Sequence, residues 1–333
     1  MTTRIAINGF GRIGRNVVRA LVERGADLEL VAVNDLTDPA ALARLLKYDS
    51  TAGRFGYPVE VDGDVLVIDG RRVKVLAERD PAKLPWGELG VDVVLESTGR
   101  FTDATAARAH LDAGAKKVLV SAPSKGADVT LAYGVNTEAY DAELHTIVSN
   151  ASCTTNALAP LAKVLDDLAG IEHGFMTTIH AYTQDQNLQD APHSDPRRAR
   201  AAAVNIVPSS TGAAKAIGLV LPKLDGKLNG DSMRVPVPVG SIVELNTTVS
   251  KDVTLDEVLA AYKAAASEGP LKGVLEYSDE ALVSSDIVGN PHSSIFDAEL
   301  TRVDGRHIKV VAWYDNEWGF SNRVIDSLTL LAG

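Results

Sequence analysis

The amino-acid sequence predicts an α/β fold in its first half and an α+β fold with a mostly antiparallel sheet in its second half. The first half alternates short β-branched runs with helical patterns, which is typical of βαβ units on a parallel sheet. After about residue 150, longer strand patterns follow one another with few helices between them, which favours antiparallel pairing. The length of 333 residues suits two domains of ordinary size.

The elements of the first half follow from apolar periodicity and from turn residues. We predict strands over residues 5–8, 28–34, 91–96, 117–121 and 146–149, with helices over residues 12–24, 39–46 and 103–113 between them. The dipeptides Asp62-Gly63 and Asp69-Gly70 are typical of hairpin turns. Residues 59–75 are therefore expected to form a small hairpin excursion.

The second half begins with a predicted helix over residues 154–168 and continues with strands over residues 174–180, 232–237, 242–250, 294–302 and 308–314. Thr254 and Glu257 form a capping-box pattern, which predicts a helix over residues 255–266. A final helix is predicted over residues 320–331 and could dock on either domain. The stretch from residue 182 to residue 208 has no clear period, and a loop of that length is typically functional or interfacial.

The composition excludes several classes of function. Asp and Glu outnumber Lys and Arg 44 to 33, and the net charge of −11 disfavours nucleic acid and anionic membranes as partners. No apolar run has the length of a membrane span and the N-terminus lacks a secretory pattern, so we expect a cytoplasmic protein. The single cysteine, Cys153, and the histidine spacings offer no disulfide and no metal site.

A glycine-rich turn follows the first predicted strand and opens the first predicted helix. Its residues Gly9-Phe10-Gly11-Arg12-Ile13-Gly14 fit the dinucleotide-binding pattern, in which backbone N–H groups at the helix start hold a pyrophosphate. Asp35 follows the second strand at the spacing of the acid that binds the adenosine ribose, and a carboxylate there repels the 2′-phosphate of NADP. The pattern predicts a Rossmann domain that binds NAD, against the alternative of a glycine-rich turn in an unrelated α/β fold.

Cys153 lies at the start of the first helix of the second half. The positive end of a helix dipole favours the thiolate, although a lone cysteine is most often a small buried hydrophobe. The helix runs for about 23 Å and the next strand returns for about 26 Å, so antiparallel packing brings His180 beside the thiol. Such a pair suits nucleophilic catalysis, whereas the alternative for His180 is a histidine that merely ends a strand.

Several basic and hydroxyl residues of the second half are candidates for binding phosphate. Arg234 and the run Arg197-Arg198-Ala199-Arg200 carry forked donors that suit this anion. Thr183 and the segment Ser209-Ser210-Thr211-Gly212 add hydroxyl and backbone donors. The alternative for the arginines is a solvated surface.

Five segments match a known family in order along nearly the whole chain. They are residues 6–15 (AINGFGRIGR), 46–50 (LKYDS), 151–156 (ASCTTN), 210–215 (STGAAK) and 313–317 (WYDNE). These segments closely resemble phosphorylating glyceraldehyde-3-phosphate dehydrogenase of the bacterial type. The resemblance implies a Rossmann dinucleotide-binding domain of residues 1–151 and 316–333 and an α+β catalytic domain of residues 152–315. It also implies a homotetramer in which the loop of residues 182–208 lies near the neighbouring cofactor.

The resemblance also implies roles for individual residues. Cys153 would be the nucleophile and His180 the base. The substrate's own phosphate would be bound by Thr183 and Arg234, and inorganic phosphate by Ser152, Thr154, Thr211 and Gly212. The cofactor would be bound by Gly9, Phe10, Gly11, Arg12, Ile13, Asn34, Asp35, Arg79, Ser97, Thr98, Gly99 and Ser121, with Asn316 at the nicotinamide amide. Leu36 and Pro192 match the family's preference for NAD, whereas Ala191 replaces its usual leucine.

The resulting hypothesis is NAD-dependent oxidative phosphorylation of D-glyceraldehyde 3-phosphate to 1,3-bisphosphoglycerate, through a hemithioacetal and a thioester on Cys153. One alternative keeps this chemistry with a longer sugar, as in erythrose 4-phosphate dehydrogenase. A second is an NAD-binding thiol redox sensor or scaffold, and a third is a dehydrogenase that hydrolyses the thioester. The sequence leaves open whether Arg198 and Arg200 contact cofactor, phosphate or a neighbouring subunit.

Overall fold

A computed structural model describes residues 2–333, which divide into two compact units. The first unit comprises the described residues up to Tyr133 together with Thr137–Ala151 and Ser321–Gly333. The second unit comprises Gly134–Asn136 and Ser152–Phe320. The chain therefore leaves the first unit near residue 151 and returns to it for its last helix.

A nine-stranded sheet forms the framework of the first unit. The elements along the chain are β1 (Thr3–Asn8), α1 (Arg12–Arg24), β2 (Leu28–Asn34), α2 (Pro39–Lys47), β3 (Tyr48–Asp49), β4 (Gly53–Arg54), β5 (Val59–Asp62), β6 (Val65–Ile68), β7 (Arg71–Leu76), β8 (Val93–Glu96), α3 (Ala104–Asp112), β9 (Lys117–Val120), β10 (Val129–Thr130) and β11 (Ile147–Ser149). Short 3₁₀ turns lie at Pro81–Lys83 and Thr137–Ala139. The order across the sheet is β10-β11-β9-β8-β1-β2-β7-β6-β5.

Pairing is parallel from β10 to β7 and antiparallel in the β7-β6-β5 edge. This confirms the α/β prediction for the first half. The hairpin excursion at residues 59–75 is not separate, because β7 pairs with β2 in parallel and so extends the main sheet. The turns at Gly63 and Gly70 both have positive φ, as the turn dipeptides predicted.

Burial explains why the sequences of the central strands are continuous runs of apolar residues. Ile5, Ala6 and Ile7 of β1 are fully buried, as are Val94 and Leu95 of β8. Strands of a parallel sheet that is covered on both faces have no solvent side and therefore no alternation. Removing each large apolar side chain from water stabilises the fold by about 1.5–3 kcal/mol.

The first helix begins directly at the glycine turn. Gly11 is the N-cap residue of α1, and the left-handed Gly25 ends the helix by donating to Leu21 O and Val22 O. The helix buries Val17, Val18 and Leu21. Its N-terminal N–H groups consequently face the end of β1, where the motif predicted a pyrophosphate.

The second unit is built on an eight-stranded sheet. Its elements are α4 (Cys153–Ala169), β12 (Ile171–Ala181), β13 (Val207–Ser210), α5 (Ala213–Val220), β14 (Leu228–Val235), β15 (Ser241–Val249), α6 (Leu255–Ser267), β16 (Leu275–Ser278), β17 (Ser294–Asp297), β18 (Arg302–Asp304) and β19 (His307–Tyr314), followed by α7 (Trp318–Ala332). Short 3₁₀ turns lie at Ala202–Val204 and Pro222–Leu224. Only β12–β14 and β16–β17 pair in parallel among the described strands of this sheet, so the mostly antiparallel prediction is confirmed.

Two predicted elements of this half differ from the structure. The strand expected over residues 294–302 is split, because Asp297 Oδ1 accepts a hydrogen bond from Leu300 N (3.0 Å) and Thr301 Oγ1 donates to Asp297 O (2.9 Å). These bonds turn the chain before β18 starts. The helix expected from residue 154 begins at Cys153, because the Ser152 side chain caps it by accepting from Thr155 N at 3.0 Å.

The last helix is tied to the first unit by polar contacts. Ser327 Oγ donates to Asn150 Oδ1 at 2.6 Å, and Arg24 forms an ion pair with Asp326 at 2.6 Å. Residues 321–333 accordingly belong to the first unit. Within residues 2–333, no helix has both the length and the apolar character needed to cross a membrane.

Candidate active site

A cavity of about 380 Å³ lies in the first unit where the parallel strands end. Its lining comprises Asn8, Gly9, Gly11, Asn34, Asp35, Leu36, Glu78, Arg79, Ser97, Thr98, Arg100 and Phe101. These residues end or follow β1, β2, β7 and β8, and the strand order reverses between β1 and β8. Nucleotides bind at such a reversal point in open α/β sheets, and the volume suits a small-molecule site.

The three glycines of the turn are needed for different steric reasons. Gly9 has φ +95°, and a Cβ atom there would lie 2.6 Å from Thr98 N. A Cβ at Gly14 would lie 2.4 Å from Gly9 O, which would prevent the close approach of α1 to β1. A Cβ at Gly11 would meet no atom within 4 Å, so the space above the helix start is open. The turn therefore fits a pyrophosphate against the backbone N–H groups.

Many of the predicted cofactor residues line this cavity, namely Gly9, Gly11, Asn34, Asp35, Arg79, Ser97 and Thr98. Asp35 is held at the rim because its Oδ2 accepts from Phe10 N (3.0 Å) and its Oδ1 accepts from Thr37 N (3.1 Å). Leu36 beside it is 57% exposed.

Other predicted cofactor residues do not line the cavity, namely Phe10, Arg12, Ile13, Gly99 and Ser121. Phe10 is fully buried, and the Arg12 side chain pairs with Asp49 at 2.7 Å. Sequence reasoning missed Asn8, Glu78, Arg100 and Phe101. Their signal is position, because each lies at the end of a parallel strand or a few residues beyond it.

In the second unit, α4 and β12 bring Cys153 and His180 together. The Cys153 Sγ and His180 Nε2 atoms are 3.4 Å apart. His180 Nδ1 lies 2.6 Å from Ala181 O and 3.1 Å from Arg234 NH1, and a proton on Nδ1 makes the shorter of these two contacts a hydrogen bond. In that tautomer Nε2 presents its lone pair to the thiol and can accept the thiol proton.

Burial dominates the electrostatics of this pair. Burial and the nearby Arg234 charge lower the pKa of His180 to about 3. Burial also raises the pKa of the Cys153 thiol above its usual range, and the Arg234 charge opposes that rise. Both shifts favour the neutral thiol and the neutral imidazole, whereas the helix start was expected to favour the thiolate.

Arg234 is a cation without an acidic partner. Its NH1 group donates to Ala181 O (3.2 Å) and to Thr183 Oγ1 (3.2 Å), and lies 3.1 Å from His180 Nδ1. Its Nε is buried with no hydrogen-bond partner. Among the ion pairs of residues 2–333, none joins Arg234 to a carboxylate. Leaving such a group without a counter-ion is costly, so the site is suited to an anionic ligand.

The remaining hydroxyl candidates lie at two helix starts. Ser152 caps α4, and Thr154 Oγ1 is hydrogen-bonded to Tyr314 OH at 2.9 Å. Thr211 Oγ1 accepts from Ala213 N at 3.2 Å, and Gly212 is the N-cap residue of α5. The hydroxyls of Ser152, Thr154 and Thr211 are therefore already engaged in bonds within the unit.

Asn316 follows β19 and is 4% exposed. Its Oδ1 accepts from Ser241 Oγ (2.9 Å) and from Gly240 N (3.3 Å). These two bonds fix the orientation of the amide, so that Nδ2 is the group left to donate elsewhere.

Arg198 and Arg200, whose contacts the sequence did not predict, form ion pairs within the loop of residues 182–208. Arg198 pairs with Asp185 (2.5 Å) and Asp195 (3.5 Å), and Arg200 pairs with Asp190 (2.8 Å). Over the described part of the chain, no group of three or more His, Cys, Asp or Glu side chains is arranged to hold a metal ion.

A cavity for a dinucleotide and a thiol beside an imidazole are typical of an oxidoreductase that combines a nicotinamide cofactor with a cysteine. Two family models match the chain: "Glyceraldehyde 3-phosphate dehydrogenase, NAD binding domain" over residues 3–104 and "Glyceraldehyde 3-phosphate dehydrogenase, C-terminal domain" over residues 152–316. The chain therefore belongs to the glyceraldehyde-3-phosphate dehydrogenase family. It is an NAD-dependent oxidoreductase, as the sequence predicted.

Individual relatives agree over the full length. The chain is 82% identical over 330 residues to glyceraldehyde-3-phosphate dehydrogenase of Kitasatospora aureofaciens, with 99% of each chain covered. It is 64% identical over 333 residues to glyceraldehyde-3-phosphate dehydrogenase 1 of Streptomyces avermitilis, with 100% of this chain and 99% of the relative covered. It is 62% identical over 337 residues to glyceraldehyde-3-phosphate dehydrogenase of Mycobacterium tuberculosis, with 99% of each chain covered. These relatives do not favour the longer-sugar or redox-sensor alternatives.

Proposed function

We propose that this chain converts D-glyceraldehyde 3-phosphate, NAD and inorganic phosphate to 1,3-bisphosphoglycerate and NADH. The observation that supports a phosphorylated substrate is the environment of Arg234. Its guanidinium has no carboxylate partner and lies beside the thiol–imidazole pair. A phosphate ester supplies the missing anion, and Thr183 Oγ1, 3.2 Å from the guanidinium, adds a hydroxyl donor to it.

The first step forms a bond between the Cys153 sulfur and the aldehyde carbon. His180 Nε2 accepts the thiol proton as the sulfur attacks, and returns it to the former carbonyl oxygen to give a hemithioacetal. When bound, NAD supplies the hydride acceptor. His180 takes the hydroxyl proton as the hydride leaves the same carbon, so that a thioester on Cys153 and a protonated imidazole result.

The substrate's phosphate also prepares His180 for this work. Burial and then the Arg234 charge hold the pKa of His180 at about 3, which makes a weak base. A bound phosphate offsets the guanidinium charge and so raises the pKa of His180 toward the range in which a general base is effective. Binding of the correct substrate thus improves the base.

Inorganic phosphate completes the reaction. One of its oxygens bonds to the acyl carbon, and the carbon–sulfur bond breaks. The Cys153 sulfur leaves as a thiolate and takes the proton from the protonated His180. We assign this phosphate to Ser152, Thr154, Thr211 and Gly212, at the N-termini of α4 and α5. Backbone N–H groups at helix starts stabilise anions even where the hydroxyls are engaged in capping.

We propose that residues 1–151 with 316–333 bind NAD and that residues 152–315 carry the chemistry, with Asn316 Nδ2 at the nicotinamide amide. We also propose a cytoplasmic homotetramer. Large apolar side chains of the loop and its surroundings are exposed, including Leu188 (79%), Val204 (76%) and Ile206 (69%). Exposed apolar side chains in one region are typical of an interface between subunits. Light scattering coupled to size-exclusion chromatography measures the assembly directly.

The decisive test follows NADH absorbance with NAD, D-glyceraldehyde 3-phosphate and varied phosphate. We expect sustained turnover only with phosphate, and a burst of one NADH per thiol without it, because the thioester then persists. Cys153→Ser should bind NAD normally and lose turnover by several orders of magnitude. Sustained NADH formation without phosphate would instead identify a dehydrogenase that hydrolyses its thioester.

A further inference from the structure

We propose that Glu96 is a positioning residue for the adenosine end of NAD. Glu96 ends β8, is 1% exposed, and does not line the cavity described above. It is instead hydrogen-bonded to Asn8 and Thr98, which do line the cavity. The inference rests on the assignment of that cavity to NAD, and adds a buried residue that fixes the positions of the lining residues.

The Glu96 carboxylate accepts four hydrogen bonds. Oε2 accepts from Asn8 Nδ2 (2.7 Å) and from His110 Nε2 (2.9 Å). Oε1 accepts from Thr98 N (2.8 Å) and from the Thr98 hydroxyl. Four donors fill the acceptor sites of an ionised carboxylate, and no lysine or arginine among residues 2–333 pairs with it. The cost of burying this anion is therefore offset by donors, two of which belong to Thr98 of the cavity wall.

The bond to Asn8 sets the direction of a longer chain of amides. Because the Asn8 NH₂ group faces the carboxylate, its oxygen faces Asn34 and accepts from Asn34 Nδ2 at 2.7 Å. Asn34 in turn pairs with the backbone of Glu78, donating to its carbonyl (2.8 Å) and accepting from its N–H (2.9 Å). The backbone N–H of Glu78 cannot be exchanged for an acceptor, so the direction is fixed at both ends.

His110 completes the arrangement on the side away from the cavity. The Trp86 indole N–H donates to His110 Nδ1 at 3.0 Å, and an indole nitrogen can only donate. His110 Nδ1 is therefore the acceptor, and Nε2 carries the proton that reaches Glu96. In one orientation the NH₂ group of an amide at this position would face Asn8 Nδ2 and His110 Nε2, which are both donors. In the other it would face the Thr98 N–H, a donor, and the Thr98 hydroxyl, which can accept, so either orientation brings the NH₂ group against at least one donor.

One carboxylate consequently holds three parts of the cavity wall: Asn8 at the end of β1, Thr98 after β8, and Asn34 with Glu78 beyond β2 and β7. A site whose shape is fixed before binding loses less conformational freedom when the ligand arrives. Replacing the hydrogen-bond partner of a metal-ligating residue typically costs about 10- to 100-fold in affinity, and Glu96 supports the residues of the cavity wall in the same way. We expect that loss for NAD when Glu96 is changed to glutamine.

The experiment compares three variants of the full-length chain. Dissociation constants for NAD are measured by titration calorimetry, kcat at saturating NAD by absorbance, and the melting temperature by scanning calorimetry. Glu96→Gln should raise the dissociation constant by about 10- to 100-fold and leave kcat at saturating NAD within about threefold of the wild type. The control Trp86→Phe removes a bond to the same histidine on the far side, and should lower the melting temperature with the NAD affinity within about twofold.

The double variant Asn8→Asp/Glu96→Gln exchanges carboxylate and amide between the two positions at the same net charge. The new amide can donate to the new carboxylate, whose second oxygen still accepts from Asn34. His110 Nε2, which lies 3.4 Å from the Asn8 amide nitrogen, can turn its proton to the same carboxylate, so we expect NAD affinity within about fivefold of the wild type. If Glu96→Gln does not fold, the double variant provides the test. A folded double variant whose NAD affinity is about 100-fold below that of the wild type would overturn the proposal.

Other outcomes are equally decisive. An unchanged NAD affinity in a destabilised Glu96→Gln would show that Glu96 supports only the fold. Equal losses of affinity in Trp86→Phe and Glu96→Gln would show general loosening of the unit. Wild-type protein that binds NAD but makes no NADH would refute the proposed function, while leaving the comparison of NAD affinities valid.

Discussion

Replacing Arg234 by methionine tests the assignment of the substrate's phosphate. The change removes the guanidinium and keeps most of the apolar stem. Hydrogen bonds to charged groups contribute about 1.5–3 kcal/mol each, and a phosphate at this site would lose one or two of them. A loss of about 3–4 kcal/mol corresponds to about a 10²- to 10³-fold fall in kcat/KM for D-glyceraldehyde 3-phosphate.

Unphosphorylated D-glyceraldehyde is the matched substrate, and its kcat/KM should change by less than about fivefold because it has no anion to bind. Loss of the guanidinium raises the pKa of both His180 and Cys153, and a stronger base and a weaker thiol acid act in opposite directions on proton transfer. The substitution removes a cation that has no acidic partner, so it should not lower the stability of the fold. We therefore expect a melting temperature that is unchanged or higher. The control Arg306→Met removes a guanidinium whose side chain is 48% exposed and which pairs with Glu172 at 3.4 Å, and should change neither kcat/KM.

Two results would refute this reasoning. Equal losses with the phosphorylated and unphosphorylated aldehydes would show that Arg234 serves the thiol–imidazole pair and does not bind the phosphate. A large fall in the melting temperature of Arg234→Met would show that its bonds to Ala181 O and Thr183 Oγ1 hold the loop in place, and that the missing carboxylate has no functional meaning.

Two further predictions concern the first unit. Gly9→Ala places a Cβ atom at φ +95° and 2.6 Å from Thr98 N. We therefore expect a loss of about 1–3 kcal/mol in the free energy of unfolding and weaker NAD binding by calorimetry. An NAD affinity equal to that of the wild type would contradict the steric argument. Burial favours protonation of Asp49, but hydrogen bonds from Arg12 and from backbone N–H groups outweigh it and hold the pKa of Asp49 well below its usual range. A depressed native pKa stabilises the fold above the unfolded pKa of about 3.9 and loses that contribution as the pH falls. Asp49→Asn should therefore cost about 1–3 kcal/mol at pH 7 in urea unfolding, with a shallower decline in stability below about pH 4, whereas parallel declines would contradict the assignment.

The sequence was most informative where local geometry and chemistry coincide. Helix α1 was predicted with its observed ends, because Gly11 and Gly25 mark both of them. The proximity of Cys153 and His180 followed from the lengths of one helix and one strand, and the observed Sγ–Nε2 distance is 3.4 Å. In each case the prediction needed only bond geometry and the residues of a single contiguous segment.

Other features depend on contacts that a linear sequence does not display. Helix α5 was not predicted, because its eight residues are mostly apolar and Gly212 before it provides no side-chain cap. Glu78 reached the cavity wall only through the pairing of β7 with β2, which turn residues alone did not indicate. The state of the Cys153 thiol was the least predictable, because it depends on how much water the assembled unit excludes.

The return of the chain to the first unit at its end has a consequence for biosynthesis. Residues 2–151 leave the ribosome about 170 residues before Ser321–Gly333 follow. At about 5–20 residues per second this is a delay of roughly 10–30 s, far longer than helix or hairpin formation. Throughout that interval Asn150 and Arg24 lack their partners Ser327 and Asp326. The first unit can therefore be completed only after the whole of the second unit has been synthesised.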